Sequence, residues 1–255
     1  MNILNSRQKK ILKLLASEGQ VQVEKLATSF GVVNQTIRRD LTELCNKGLA
    51  DRIHGGARKL ISTSMVAYES RRQANVSAKI SIANSTASLI PNGSSVAINI
   101  GTTTEQVANA LRQHNELTVI SNNINIVHIM QTSKVKSLIV VGGQVRLSDG
   151  AIVGSSAEEA FRNYKVDFAI IGASSLDSDG SILDFDQREV VVAQSILNNS
   201  RNRILVCCNS KFSISAPHRI CNVRDLDIFV TDSPPPIDFQ KIAQIANTRI
   251  IISKD

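Results

Sequence analysis

The positive charge of this chain is confined to one end. Residues 1–72 contain 13 Lys and Arg against 6 Asp and Glu, whereas residues 73–255 contain 16 of each, so the formal net charge of +7 belongs to the N-terminal segment. Such a distribution is typical of a protein in which one domain binds a polyanion and a second domain is electrically neutral. Because 255 residues suffice for one small domain and one of ordinary size, we expect two domains with separate tasks.

The composition excludes several classes of protein. The sequence has no apolar run of ~18 residues, which predicts no transmembrane helix, and its first ten residues are polar and basic, unlike a signal peptide. We therefore expect a cytoplasmic protein that does not bind a membrane. Its cysteines and histidines lack the spacing of a metal site or a disulfide framework, so no metal and no cofactor are predicted. The four cysteines are interpreted as small buried hydrophobic residues: Cys45, Cys207, Cys208 and Cys221.

The first sixty residues have the pattern of three short helices and a hairpin. Ser6 is a suitable N-cap for a first helix, and glycines at positions 19 and 31 are suitable ends for the first and second. Val21 and Val23 alternate with glutamines and predict a short strand between those helices. A third helix is predicted over residues 34–47, because the spacing of Ile37, Leu41 and Leu44 places all three on its inner face.

The outer face of this third helix has the composition of a recognition helix. Arginine binds guanine or phosphate through two donors, and glutamine pairs with adenine. Residues 49–60 then predict a basic two-stranded wing that contacts the DNA backbone, although a histidine such as His54 more commonly serves as a turn residue. A solvated face of an ordinary helix is the alternative, but the order of the elements favours DNA binding. The predicted DNA-binding residues are Gln35, Thr36, Arg38, Arg39, Thr42, Arg52, His54, Arg58 and Lys59.

These features resemble the winged helix-turn-helix of the DeoR family of bacterial repressors. The likeness rests on the sequence Thr-Ile-Arg-Arg-Asp-Leu at 36–41 and Arg-Ile-His-Gly-Gly-Ala at 52–57. It implies double-stranded operator DNA as a partner. Because one such unit offers few contacts to DNA, we expect a homo-oligomer, dimer or tetramer, with the sensor domains forming the interface. Val33 replaces the serine usual in the family, so we expect Asn34 to cap the helix instead. The predicted domains are 1–59 for DNA binding, 60–78 as a linker and 79–255 as a sensor.

The rest of the chain alternates strand-like and helix-like segments, which predicts a parallel, Rossmann-like sheet. Strands are predicted at 96–100, 117–120, 138–141, 168–171 and 204–207, each followed by small polar residues. Ligands bind beyond the carboxyl ends of such strands, and a glycine with hydroxyls at a helix N-terminus suits a phosphate. A simply capped turn is the alternative for each strand end taken alone. The predicted phosphate-binding and neighbouring residues are Gly101, Thr102, Thr103, Thr104, Ser121, Asn122, Asn123, Gly142 and Gly143.

Four charged residues are further candidates for binding the ligand. Lys211 and Arg146 suit a phosphate, with a solvated lysine and a surface ion pair as the respective alternatives. Asp184 and Glu189 suit the hydroxyl groups of a polyol, and capping of the following helix is an equal alternative. There is no G-x-G-x-x-G and no Walker A sequence, which disfavours dinucleotides and nucleoside triphosphates.

This second segment resembles the DeoR-family sensor domain, which is related in fold to ribose-5-phosphate isomerase and glucosamine-6-phosphate deaminase. Residues 177–186 and 231–236 are similar to members of the family that respond to glycerol 3-phosphate, which implies sn-glycerol 3-phosphate as the inducer. Cys208 and Ser213 depart from the acidic residue and the glycine usual at these positions. We therefore expect a small α+β winged helix-turn-helix domain followed by an α/β sensor domain, forming a repressor and not an enzyme. A sensor for another sugar phosphate, an isomerase or deaminase with a DNA-binding head, and an activator are the alternatives.

Overall fold

The computed structural model describes residues 4–46, 49–53, 55–59 and 65–254. By internal contacts the chain divides into two compact units, Met1–Val66 and Ala67–Asp255. Within the segment predicted as a linker, residues 60–64 lie outside the described residues, and most of the remainder is helical. Helix α4, described below, contains the junction between the two units.

The N-terminal unit is a winged helix-turn-helix, as predicted. Ile37, Leu41 and Leu44 are completely buried in the core between its three helices. The three strands form an antiparallel sheet in the order β1-β3-β2, so that the first strand joins the wing hairpin. The elements are α1 (Ser6–Glu18), β1 (Gln20–Gln22), α2 (Val23–Phe30), α3 (Asn34–Asn46), β2 (Ala50–Ile53) and β3 (Gly56–Lys59).

Three local expectations in this unit are wrong. The N-cap of α1 is Asn5 and not Ser6, because the Asn5 side chain accepts a hydrogen bond from the Gln8 amide at 2.8 Å and the Gln8 side chain accepts one from the Asn5 amide at 3.2 Å. The first strand ends before Val23, which begins α2. Asn34 is already helical, so it is not the cap of α3, and the exposed Val33 precedes it.

The C-terminal unit is a three-layer α/β domain with smaller β elements attached. Its helices are α4 (Met65–Gln73), α5 (Val76–Ala87), α6 (Thr102–Leu111), α7 (Ile124–Met130), α8 (Ser155–Arg162), α9 (Gln187–Asn198) and α10 (Ile237–Ile245). Its strands are β4 (Ser95–Ile98), β5 (Thr118–Ser121), β6 (Ser137–Val140), β7 (Gln144–Arg146), β8 (Ala151–Val153), β9 (Val166–Ile171), β10 (Ser175–Leu176), β11 (Ser181–Asp184), β12 (Ser200–Val206), β13 (His218–Asn222), β14 (Ile228–Thr231) and β15 (Arg249–Ile252).

The seven-stranded parallel sheet at the centre confirms the predicted Rossmann-like fold. Its order is β15-β14-β12-β9-β4-β5-β6, so the chain runs outward from β4 to β6, returns to β9 beside β4 and continues outward in the other direction. The two faces of the sheet are covered by separate clusters of buried apolar residues. The strand order therefore reverses between β4 and β9, and this is where open α/β sheets bind ligands. None of the helices within the described residues is both long enough and apolar enough to cross a membrane.

Candidate functional site

A polar cleft lies at this reversal point, beyond the carboxyl ends of the central strands. Residues that follow β4, β5, β9 and β12 line it, and α4 contributes two side chains. The polar and glycine residues that line the cleft are Tyr68, Arg71, Asn99, Gly101, Thr102, Thr103, Glu105, Asn123, Asp149, Gly172, Ser174, Asp184, Glu189 and Lys211.

The N-terminus of α6 forms one wall of the cleft. Gly101 has a φ of 141°, a conformation that residues with a Cβ rarely adopt, and it lets the chain turn directly from β4 into the helix. Thr102 and Thr103 begin the helix and line the cleft. The buried Thr104 hydroxyl instead donates to the Gly101 carbonyl at 2.8 Å and holds this turn. The first amide groups of a helix lack intrahelical acceptors, so this wall suits an anion.

Three cations lie near one another at the cleft. Arg71 and Lys211 line it, and Lys79 lies close by with 6% of its surface exposed. Burial lowers the pKa of the Lys79 ammonium, and the nearby charges of Lys211 and Arg71 lower it further. The Lys79 ammonium donates to the backbone carbonyl of Arg71 and forms no ion pair with the carboxylates of the described chain. Arg71 lies 3.9 Å from Asp149, whereas no carboxylate of the described chain pairs with either lysine.

Several carboxyl groups of the cleft are grouped around Arg146. Arg146 donates to both carboxylate oxygens of Asp149, at 2.9 and 2.6 Å, to Asp186 at 2.9 Å, and to Glu189. Asp184 is buried and accepts from the amides of the two residues that follow it. Burial, followed by the charge of Asp184, raises the pKa of Glu189 to about 8 despite the contact with Arg146. One guanidinium is thus shared among several carboxylates, which leaves acceptors available for hydroxyl groups.

A buried carboxylate links α6 to α4. Glu105 is 2% exposed and accepts hydrogen bonds from the Tyr68 hydroxyl at 2.7 Å, from Asn123 at 3.2 Å and from Asn125 at 3.1 Å. Asn125 also donates to the Tyr68 hydroxyl at 2.8 Å. The carboxylate is therefore fully engaged with protein donors, and α4 is attached to the edge of the cleft.

The structure brings some of the predicted ligand residues to the cleft and places others behind it. Ser121 donates to the carbonyl of Ile98 at 2.7 Å and Asn122 to that of Ile152 at 3.0 Å, so both hold neighbouring strands. The predicted residues that line the cleft are Gly101, Thr102, Thr103, Asn123, Asp184, Glu189 and Lys211. Those that do not are Thr104, Ser121, Asn122, Gly142, Gly143 and Arg146, the last of which contacts its acidic lining residues.

Sequence reasoning missed six polar residues of the cleft, of which Ser174 belongs to the Gly-Ala-Ser segment at 172–174 that directly follows β9. Asn99 and Glu105 flank the Gly-Thr-Thr-Thr segment, and this proximity is a signal that could have identified them. Asp149 lies three residues from Arg146, a spacing that favours an ion pair. Tyr68 and Arg71 belong to the segment predicted as a linker, and the local sequence gives no signal for their role.

The outer face of α3 is the candidate nucleic-acid interface. Gln35, Arg38, Arg39 and Thr42 are exposed on it, whereas Thr36 is half-buried. The contact of 3.5 Å between Arg39 and Glu43 joins two exposed side chains, so it holds Arg39 only weakly. In the wing, Arg52 and Arg58 are exposed. Lys59 belongs to β3, without a described side chain, and His54 lies outside the described residues.

The inner face of α3 carries a polar anchor. Asp40 is 4% exposed and forms an ion pair with Arg7 of α1. It also accepts hydrogen bonds from Asn5 at 3.4 Å and from Gln8 at 3.3 Å. The N-terminus of α1 is therefore attached to the middle of α3, which fixes the orientation of the helix whose opposite face is exposed.

The cysteines and acidic clusters of the described chain provide no candidate metal centre, since no three of its His, Cys, Asp and Glu side chains are suitably grouped. Cys207 and Cys208 are buried, as predicted, whereas Cys45 and Cys221 are half-buried. Burial raises the pKa of the Cys207 thiol to about 12 and holds it in its neutral form.

Comparison with known proteins identifies the family. Residues 7–63 match the model of the DeoR-like helix-turn-helix domain, and residues 74–233 match that of the DeoR C-terminal sensor domain. The glycerol-3-phosphate regulon repressor of Escherichia coli (strain K12) is 38% identical to this chain, over 91% of the length of this chain and 92% of its own length. That of Haemophilus influenzae is 39% identical over 90% and 89%, and the repressor CsqR of E. coli is 34% identical over 98% and 96%.

Among solved structures, ribose 5-phosphate isomerase A from Methanocaldococcus jannaschii aligns with 54% of this chain and 55% of its own, at 13% identity and a TM-score of 0.40. The two family models and the relatives above extend over both units of the chain. The chain belongs to the DeoR family of transcriptional regulators.

Proposed function

We propose that this protein is a cytoplasmic transcriptional repressor that binds operator DNA and releases it when a phosphorylated polyol binds the C-terminal unit. The exposed face of α3 enters the major groove, and the wing arginines contact the phosphate backbone. One winged unit offers few contacts, so a dimer or tetramer provides the affinity for a two-fold operator. The ligand that we propose is sn-glycerol 3-phosphate.

The distribution of charge in the cleft is the observation that carries this proposal. The lining of the cleft combines Arg71, Lys211 and the N-terminus of α6 with the carboxyl groups of Asp184 and Glu189. A phosphate monoester is dianionic and needs donors and cations, while polyol hydroxyls donate to carboxylates. A ligand that has both a phosphoryl group and hydroxyl groups therefore complements both kinds of lining residue.

The two departures from the usual family sequence do not obstruct this ligand. Cys208 is 3% exposed and Ser213 donates to the Ser210 carbonyl at 2.7 Å, and neither side chain lines the cleft. Two relatives aligned over about nine-tenths of the chain are named as repressors of a glycerol-3-phosphate regulon. These observations support the same ligand for this protein.

We propose a regulatory and not a catalytic role for the cleft. An isomerase or deaminase needs a group that removes a proton from the substrate. Among the residues described, no histidine lines the cleft, Glu105 accepts three protein hydrogen bonds and Glu189 contacts Arg146. The relatives aligned over most of the chain are named as repressors, which supports a regulatory role. We expect no turnover of ribose 5-phosphate or glucosamine 6-phosphate by the full-length protein.

A mobility-shift assay at fixed salt tests the proposed function. The full-length protein selects an operator from a pool of random duplexes, and its affinity for that operator is measured with sn-glycerol 3-phosphate, glycerol or inorganic phosphate. We expect glycerol 3-phosphate to lower operator affinity at least tenfold and glycerol to leave it unchanged. Equal affinity at saturating glycerol 3-phosphate would falsify this ligand assignment, because a ligand shifts an equilibrium only through different affinities for its two states.

Two charge-matched variants relate this response to the cleft. Lys211→Gln removes a cation that lines it, whereas Lys241→Gln removes an exposed cation of α10 that pairs with Asp238. We expect Lys211→Gln to require a higher concentration of glycerol 3-phosphate for release and Lys241→Gln to respond like the parent protein. The same response in both variants would place the ligand elsewhere.

A further inference from the structure

We propose that Arg71 of α4 binds the phosphoryl group of the ligand, so that the helix containing the junction of the two units forms part of the ligand site. This inference rests on the proposed function, since it assigns one group of the same ligand to one side chain. The sheet edge provides the rest of the cleft, whereas Arg71 comes from the segment that follows the winged unit in the chain.

Arg71 is poorly engaged for an arginine at the edge of a cleft. Its Nε atom is buried and has no hydrogen-bond partner in the described part of the chain. Its ion pair is a 3.9 Å contact with Asp149, whose two carboxylate oxygens already accept from Arg146 at 2.9 and 2.6 Å. A buried donor without an acceptor is costly, and an incoming phosphoryl oxygen would satisfy it.

Two further cations lie near Arg71, and neither has an ion pair within the described chain. Lys211 has no ion pair and no side-chain hydrogen bond with the residues described, and Lys79 donates only to the carbonyl of Arg71. Arg71 shares Asp149 with Arg146, and the two lysines have no carboxylate partner among the described residues, so the three cations repel one another. A dianionic phosphoryl group would relieve this repulsion and accept from the guanidinium through two donors.

A second polar group of the same cleft also lacks a hydrogen-bond partner, which favours a ligand that supplies one. Asn99 is 3% exposed, lines the cleft directly after β4, and its Oδ1 atom has no hydrogen-bond partner among the described residues. A ligand hydroxyl would donate to this oxygen. The unpaired donor of Arg71 and the unpaired acceptor of Asn99 therefore match the phosphoryl and hydroxyl groups of one molecule.

The position of α4 is held independently of the ligand. The Tyr68 hydroxyl donates to the buried Glu105, and Lys79 donates to the Arg71 carbonyl. These contacts place the guanidinium of Arg71 at the cleft before the ligand arrives. Because α4 contains the junction between Val66 and Ala67, a phosphoryl group bound to Arg71 is attached to the chain segment that joins the two units.

The test measures ligand affinity of the full-length protein by calorimetry, with sn-glycerol 3-phosphate and inorganic phosphate as probes. Arg71→Gln removes the guanidinium, and Arg71→Lys retains a charge without the two-donor fork. Arg112→Gln is the charge-matched control, because this exposed arginine lies at the other end of α6. Ligand-free operator affinity and melting temperature establish that each variant is folded.

We expect Arg71→Gln to weaken both probes about tenfold or more, since a charge-assisted hydrogen bond is lost. Arg71→Lys should lie between this variant and the parent, and Arg112→Gln should match the parent. Affinity of Arg71→Gln for both probes within twofold of the parent overturns the assignment. If the parent binds inorganic phosphate but not glycerol 3-phosphate, the assignment of glycerol 3-phosphate as the ligand is wrong. The affinity of Arg71→Gln for inorganic phosphate then decides whether Arg71 binds the anion. Binding of neither probe by the parent overturns both.

Discussion

The hydroxyl of Tyr68 lies 2.7 Å from one carboxylate oxygen of Glu105 and 2.8 Å from the other. Tyr68→Phe removes this donor and leaves a buried carboxylate with fewer partners. We expect the free energy of unfolding to fall by about 1–3 kcal/mol, measured by chemical denaturation. Tyr164→Phe is the matched control, because its hydroxyl has no hydrogen bond within the described chain. Equal losses in the two variants would contradict the importance of this contact.

The exposed arginines of α3 allow base contacts to be distinguished from phosphate contacts. Loss of a base contact in Arg38→Ala or Arg39→Ala should cost about 1–3 kcal/mol of operator affinity and relax specificity at one position. Loss of a phosphate contact should weaken all duplexes alike and flatten the salt dependence. Competition assays at several salt concentrations measure both effects, with Arg112→Ala as the control. Parental affinity in both α3 variants would exclude this face as the interface.

Asp40 should stabilise the N-terminal unit without contacting DNA, because its side chain faces α1. In Asp40→Ala, the donors of Arg7 and Gln8 lose their shared acceptor. We expect a local loss of about 1–3 kcal/mol, seen as faster hydrogen exchange in α1 and α3. Glu24→Ala, at an exposed position of α2, is the control. Unchanged exchange in α1 would mean that the Asp40 contacts contribute nothing to stability.

Glu189 should make stability depend on pH. Its pKa is about 8 in the folded protein, chiefly through burial, against an ordinary value of 4.5. Between these values the folded state binds more protons than the unfolded state, so stability falls as pH rises from about 4.5 through 8. In Glu189→Gln the dependence of melting temperature on pH should be flatter over this range. Glu159→Gln, on the exposed face of α8, should retain the parental slope, and identical slopes in all three proteins would contradict the prediction.

Local sequence was sufficient where neighbouring residues determine the structure. The period of Ile37, Leu41 and Leu44 indicated α3, and the Gly-Thr motif at 101–103 indicated the helix N-terminus at the cleft. It was insufficient where the partner is distant in the chain. Tyr68 is 37 residues from Glu105, and a segment rich in polar residues gives no sign of such a contact. Similarly, the donors of Arg146 suit a phosphate or a carboxylate equally. Its partner Asp186 is 40 residues away in the chain, and only the fold brings the two side chains together.

The attachment of α4 also constrains the order of events during synthesis. Tyr68 contacts Glu105 and Asn125, which leave the ribosome 37 and 57 residues later. Gln20 and Arg58, which pair in the sheet of the winged unit, are in contrast both synthesised before α4. Domains generally fold as units from the N-terminus during translation. The winged unit of a nascent chain therefore has time to fold before the ligand site is complete. The surface that binds DNA is then present earlier than the domain that regulates it.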